Sequence, residues 1–422
     1  MWAGVRDSTA LAVGSVTAGT LAYVFFVLST RSLGAADAAP VSVLWTWWSF
    51  TAAALTFPLQ HWIARSVAAG DEGGVRASLP RVAMLVAALA AVAGALAWVA
   101  RAALFGRDDP WFPVLVSCVT LGSALMGVVR GSLSARRRFG AVAMALMLEN
   151  GTRCAAAAVL VASGTQSPVG MGACLAAGAL VGVVWPSALV LRREPAGPEP
   201  RSPLRFLGGA SAGQLLAQAV LTGGPVVLAL GGGSAAQVTT LFAALALFRA
   251  PYMLAIGLVS PLTGRLTVLF VRGRHPSLRR IRLLLLGGSV PTAAVAGVFG
   301  ALAGPPLLRA VFGEQVRLSA SSSALVAVGS AVAVASLLMA VLVLAQDRGV
   351  AVARAWSLAV LAGSVVFTLL RADPLTRTCW AFVATEVVAL VALGAEELRG
   401  SRRRDPRAAG TGGAAAGREV TG

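Results

Sequence analysis

The chain is built from long apolar runs separated by short polar segments, and these runs recur from near its start to residue 394. A helix needs about 20 mostly apolar residues to cross the hydrocarbon core of a bilayer. Twelve runs meet this requirement, with predicted extents 9–30, 40–61, 82–100, 111–129, 141–162, 169–191, 206–229, 236–260, 283–303, 320–344, 351–370 and 378–394. The pattern therefore predicts an all-α polytopic membrane protein with about twelve transmembrane helices.

The arginines predict the orientation of these spans. All 35 basic residues are arginine, and most lie in every second loop, counting the N-terminal segment as the first. Loops rich in basic residues stay on the cytoplasmic side. We therefore expect both termini in the cytoplasm and a multi-pass position in the cytoplasmic membrane. Orientation also explains the formal net charge of +18, so we expect no nucleic-acid partner.

A polar segment rich in proline and charge interrupts the apolar pattern near its middle and divides the spans six and six. We expect an N-terminal six-helix lobe over 1–191, a cytoplasmic linker over 192–205 and a C-terminal six-helix lobe over 206–398. The remainder, 399–422, has no apolar period and is predicted to be a disordered cytoplasmic tail. Both halves enter the membrane from the same side, as in transporters built from parallel repeats.

The composition argues against a soluble enzyme. Charged residues make up only 12% of the chain, hydrophobic residues 57%, and the loops are too short for a nucleotide-binding domain. There is no lysine for a phosphate-binding loop, and no zinc-protease motif occurs. The four cysteines and two histidines show no metal-ligand spacing. We expect no enzymatic activity, no cofactor and no metal.

Ionisable residues at membrane depth are costly and usually face a cavity or a partner, so they are the candidate site residues. Arg249 lies near the middle of the eighth span, two residues before Pro251. An arginine there suits an anionic group such as a phosphate, which a guanidinium binds with two hydrogen bonds. It would equally suit an ion pair between helices. We take Arg249 as a candidate substrate-binding residue.

Two further spans carry carboxylates. Glu149 and Arg153 in the fifth span are four residues apart, so they share a helix face and can pair. The pair could contact a ligand or gate its path, or it could only hold helices together. Glu386 in the twelfth span could carry a coupled proton. It could also simply bond to a neighbouring hydroxyl.

Polar and aromatic residues in two other spans give weaker candidates. Gln214 and Gln218 share one face of the seventh span, where they could line a sugar path or join helices. The second span contains a cluster of aromatic side chains, namely Trp45, Trp47, Trp48 and Phe50. Such a cluster is typical of an interfacial anchor, and stacking against sugar rings is the alternative.

Four short motifs occur in order along the chain: Thr30-Arg31-Ser32-Leu33-Gly34 after the first span, Arg130-Gly131 through Arg138-Phe139 before the fifth, Arg249-Ala250-Pro251 in the eighth, and Pro305-Pro306-Leu307-Leu308-Arg309-Ala310-Val311-Phe312-Gly313 before the tenth. Together they resemble the polysaccharide flippases of the multidrug/oligosaccharidyl-lipid/polysaccharide exporter superfamily. The resemblance covers about residues 10–390.

This resemblance implies a flippase for a lipid-linked oligosaccharide that works by alternating access of two lobes around a cationic cavity. Arg249 and Arg153 would then meet the pyrophosphate of a polyprenyl carrier. The partners would be the lipid-linked sugar, the bilayer, and glycosyltransferases or a polymerase of the same pathway. Two features depart from the family. Its lipid II flippases usually have fourteen spans, and its drug-exporting branch is expected to carry N-lobe carboxylates, which spans one to four lack.

Three other classes remain as alternatives, and one of them is a non-transporting assembly scaffold. A small-solute or drug transporter of another twelve-helix type shares the topology, although the loop signature of the major facilitators is absent from residues 69–76. A membrane enzyme that transfers or polymerises lipid-linked sugars should have a large outer loop with acidic residues. The predicted outer loops are short, and Asp108-Asp109 is their only acidic pair.

Overall fold

The computed structural model describes residues 2–68, 70–189, 211–255, 266, 269, 275–346 and 348–402. Within these ranges every regular element is helical. The predicted linker over 192–205 lies outside the described residues, as does most of the predicted tail. The last helix continues to Arg402, which is beyond the predicted start of the tail at 399.

The N-terminal half, residues 2–189, begins with a long helix and contains two interrupted spans. Its helices are α1 (Trp2–Asp37), α2 (Ala39–Thr51), α3 (Phe57–Ala68), α4 (Glu72–Val99), α5 (Arg101–Phe105), α6 (Trp111–Ala135), α7 (Phe139–Ala162), α8 (Pro168–Ala177) and α9 (Pro186–Leu189). A π-helical segment, Ala52–Thr56, joins α2 to α3, and a 3₁₀ segment, Gly178–Val184, follows α8. The second and sixth predicted spans are therefore not single regular helices.

The C-terminal half, from residue 211 onward, has longer helices. They are α10 (Ser211–Leu230), α11 (Ala235–Phe248), α12 (His275–Phe312), α13 (Ala320–Leu344), α14 (Gly349–Leu369) and α15 (Pro374–Arg402). After a turn at Arg249 the chain is helical again over residues 250–255. Each of these helices coincides with one predicted span.

The helices confirm the predicted membrane architecture. In the described part of the chain, 8 helices are long and apolar enough to cross a membrane. Three shorter apolar helices, Pro168–Val184, Leu215–Leu230 and Ala235–Phe248, match the sixth, seventh and eighth predicted spans. The second span is formed by α2, the π segment and α3. The chain is thus an all-α polytopic membrane protein with about twelve spans, whereas its orientation stays a prediction.

Small residues let neighbouring helices approach closely in both halves. Gly127 and Gly131 of α6 face α3 and the π segment before it. A Cβ at Gly127 would lie 2.9 Å from the Thr56 carbonyl oxygen, and one at Gly131 would lie 2.9 Å from Cβ of Ile63. Lipid tails are as apolar as side chains, so such close packing is a main source of attraction between membrane helices.

Replacing Gly131 by alanine should therefore destabilise the N-terminal half. The new methyl group would also lie 3.1 Å from the backbone of Gln60, which cannot rotate away. We expect a loss of about 1–3 kcal/mol, measured as a lower midpoint of thermal unfolding in detergent. Gly140→Ala in α7 is the matched control, because nothing lies within 4 Å of its added Cβ. Equal midpoints for the two variants would contradict this packing.

The two halves meet through their first helices. Within the N-terminal half α1 packs on α7, and α6 packs on α3 and α4. Within the C-terminal half α13 packs between α12 and α15, and α14 packs on α15. Across the junction α1 contacts α11, and α2 contacts both α10 and α11. Residues on these four helices therefore lie at the junction between the halves.

Candidate functional site

A buried ion-pair network lies inside the N-terminal half. Glu149 of α7 accepts a hydrogen bond from Arg153 at 2.6 Å, and its other carboxylate oxygen accepts one from Arg130 of α6. The three residues are each 6% exposed or less. The predicted pairing of Glu149 with Arg153 is confirmed. One carboxylate holds two guanidinium groups, so this buried cluster carries an excess positive charge.

The other two guanidinium nitrogens of Arg153 also donate hydrogen bonds. Its Nε donates to the Leu175 carbonyl at 2.9 Å, and Nη1 donates to the Asn150 side chain at 3.1 Å. The guanidinium lies over the Trp48 ring, 4.2 Å from the ring centroid, where the ring face attracts a cation. The backbone of Gly178 approaches so closely that a Cβ there would lie 2.4 Å from Arg153 Nε. Arg153 is therefore held rigidly by the protein.

Arg130 requires a correction, because the fourth predicted span, 111–129, ends just before it. The structure places it inside α6, 6% exposed and paired with Glu149. Hydropathy missed it because the apolar run of this span ends just before Arg130, and its partner lies on another helix. Its Nε has no partner among the described residues. Trp48 was likewise read as part of an interfacial belt, but it packs on the network.

The C-terminal half has a buried ion pair of its own, Arg282 with Glu397, but neither Arg249 nor Glu386 has an ion-pair partner among the described residues. Arg249 lies at the turn that ends α11, and Pro251 follows in the next helical segment. Its Nε is buried and finds no hydrogen-bond partner within the described part of the chain. A guanidinium that its own protein leaves incompletely bonded can bind an anion.

Glu386 on α15 is the second such group. It is 1% exposed, and its Oε2 has no partner among the residues that the structure describes. The nearby Ser336 hydroxyl donates to the backbone carbonyl of Glu386 at 3.2 Å. Tyr252, which follows Arg249 by three residues, is also buried, at 4% exposed.

The two glutamines both belong to α10. Gln218 is partly buried, and its backbone carbonyl accepts a hydrogen bond from the Thr222 hydroxyl at 2.8 Å. Gln214 lies in the first turn of the same helix, and its side chain is outside the described residues. Because α10 lies at the junction of the halves, a role in lining the path stays a prediction, as does a role in joining helices.

No protein-family model matches the chain, and no curated protein matches it. An inward-facing multidrug resistance MATE family transporter of the MOP superfamily is similar in structure, with TM-score 0.66, 15% identity and coverage of 91% of this chain and 94% of that one. This chain has the fold of a MATE transporter.

Two further structures have the same MATE fold. The eukaryotic MATE transporter AtDTX14 gives TM-score 0.59 at 15% identity, covering 94% of this chain and 98% of that one. An outward-facing multidrug resistance MATE family transporter gives TM-score 0.54 at 12% identity, covering 95% of this chain and 97% of that one. The fold agrees with the superfamily suggested by the sequence motifs. It does not single out the polysaccharide flippases within that superfamily.

Proposed function

We propose that this chain is an alternating-access transporter that moves an organic solute bearing an anionic group across the cytoplasmic membrane. The similarity to MATE transporters along nine-tenths of the chain is the observation that carries the proposal. The neighbours are described as multidrug transporters, which favours the small-solute or drug alternative over the lipid-linked oligosaccharide. Transport, rather than catalysis, is the activity that this fold supports.

Arg249 supports the anionic group in the proposed substrate. Its Nε is buried without a partner in the described residues, whereas each of the three guanidinium nitrogens of Arg153 donates a hydrogen bond to the protein. In this proposal Arg249 binds the substrate, with Gln214 and Gln218 lining the path along α10. Glu149 and Arg153 keep the N-terminal half rigid and positively charged behind it. A lipid-linked oligosaccharide remains the second candidate, because the pyrophosphate of its carrier would suit the same guanidinium.

The direct test is transport by the purified protein in liposomes. One set of vesicles is given small fluorescent organic anions, and a matched set contains a fluorescent polyprenyl-pyrophosphate sugar whose flipping is followed by quenching. Uptake of small anions alone supports the main proposal. Flipping of the lipid alone moves the assignment to the second candidate, including its predicted pathway partners. Protein that is folded yet moves neither substrate removes both.

We further propose that Glu386 couples transport to protons. Glu386→Gln keeps the size of the side chain but cannot release a proton, and it leaves the bond from Ser336 to the backbone intact. We expect the variant to lose accumulation driven by a pH gradient while it still exchanges labelled for unlabelled substrate. Glu314→Gln, at an exposed site beyond α12, is the control. Gradient-driven accumulation at the wild-type level in Glu386→Gln would exclude this coupling role.

We also propose that the structure represents an inward-facing conformation. The chain is more similar to the inward-facing transporter, with TM-score 0.66, than to the outward-facing one, with TM-score 0.54. Val13 and Val16, near the start of α1, are 57% and 62% exposed, whereas Phe25 and Phe26 further along the helix are almost fully buried. This difference in exposure is consistent with two halves that are separated near the start of α1 and in contact near its end.

A further inference from the structure

Two of the four sequence motifs contact each other in the structure, and neither contains a residue of the proposed site. The Thr30–Gly34 motif ends α1 in the N-terminal half, and the Pro305–Gly313 motif ends α12 in the C-terminal half. Arg31 Nε donates to the Val311 carbonyl at 2.8 Å, and Arg31 Nη2 donates to the Ala310 carbonyl. The last carbonyls of a helix lack intrahelical donors, and its C-terminus favours a nearby cation. An arginine from one half thus caps a helix of the other.

A second polar contact lies beside the first. At Gly34 the backbone leaves the helical conformation, with φ 79° and ψ 171°. The side chain of Gln315, from the C-terminal half, accepts a hydrogen bond from the Ala35 amide at 3.2 Å. A Cβ at Gly34 would lie 2.3 Å from the Gln315 side-chain oxygen. Glycine is needed here both for its positive φ and for this close approach.

An aromatic cluster lies directly inside these polar contacts and also spans the two halves. Phe312 packs against Tyr23 and Phe26, with both pairs of ring centroids 5.4 Å apart. Phe242 of α11 packs against Phe26 at 4.4 Å and against Trp45 at 6.1 Å. Phe26 and Phe312 are each 1% exposed. Parting the halves at this end would expose these rings, so the cluster excludes water from the junction.

We propose that Arg31 and Gln315 form a latch that closes the transporter at the end where α1 and α12 finish, and that release of the latch begins opening to that side. This inference rests on the proposed alternating-access function. Arg31 is exposed, so water can replace its two carbonyl partners when the halves part. The hydrogen bonds of the latch therefore favour the closed state, yet they can break when the halves separate. With the predicted orientation, this end faces away from the cytoplasm.

The test measures the distance between the halves and does not depend on transport. Spin labels are placed at the exposed positions Ala162, at the end of α7, and Ala320, at the start of α13, after the native cysteines are replaced by alanine. In nanodiscs the wild type should show mainly the short distance. Arg31→Ala should raise the ratio of long to short distances about three- to tenfold, the range expected for losing one or two such hydrogen bonds. Gln315→Ala should change it in the same direction.

Two variants serve as controls for this measurement. Arg101→Ala removes an arginine that also donates to two carbonyls, those of Trp98 and Asp108, but within its own half. It should leave the distances unchanged. Arg31→Lys retains the cation and should recover part of the closed population. Wild-type distances in both Arg31→Ala and Gln315→Ala, or a wild type that shows only the long distance, would overturn the latch. If Arg31→Ala shifts the distances as expected but the wild type transports neither substrate, the proposed function is contradicted and the latch is not.

Discussion

Glu149→Gln is expected to destabilise the protein by about 3–5 kcal/mol, the usual cost of removing one partner from a buried ion pair. Glu149 is 2% exposed, and its carboxylate is bonded to both Arg130 and Arg153. An amide of the same size would leave two guanidinium groups facing each other without a counter-charge. Water is excluded from this position, so solvation cannot offset the repulsion.

Equilibrium unfolding in mixed detergent micelles gives the free energy directly. Glu314→Gln, at an exposed position, makes the same chemical change and should alter the stability by less than about 0.5 kcal/mol. A variant that combines Arg130→Met, Glu149→Leu and Arg153→Met should recover much of the loss, since an apolar replacement of a whole buried ion network is often tolerated. An unchanged free energy of unfolding in Glu149→Gln would mean that the network does not form.

Arg249→Ala should have the opposite profile, with a large loss of transport and little loss of stability. Its Nε has no partner in the described part of the protein, so truncation breaks no bond of that group there. Losing one partner of a buried charge pair costs at least about 2 kcal/mol, so transport at low substrate concentration should fall at least about thirtyfold. The assay is initial-rate uptake into liposomes.

Arg249→Lys separates charge from shape in the same assay. Lysine keeps the cation but offers no planar pair of donors, so it should recover only part of the rate. Thermal unfolding of Arg249→Ala, measured in parallel, should fall near the wild-type midpoint. If transport continues at the wild-type rate and the midpoint drops by many degrees, Arg249 is a structural residue and the anionic anchor must be sought elsewhere.

The sequence by itself determined the class of protein and the position of its helices. A span is recognised from about 20 consecutive apolar residues, because the bilayer thickness is a local constraint on the chain. Where the structure describes them, the twelve apolar runs fall on helical structure. The Glu149–Arg153 pair could be predicted for the same reason, since a spacing of four residues places both on one helix face.

The tertiary structure decided which charges meet and where the halves touch. Arg130 joins Glu149 from another helix, and Arg31 reaches carbonyls 279 and 280 positions away in the chain. No periodicity predicts such contacts, because they depend on which small residues let which helices approach. The sequence also did not predict the π segment after α2 or the 3₁₀ segment after α8, because an apolar sequence is compatible with π, 3₁₀ and α geometry alike. A span that matches the bilayer thickness can be recognised from local sequence, whereas the partners of a buried charge are determined only when the helices pack.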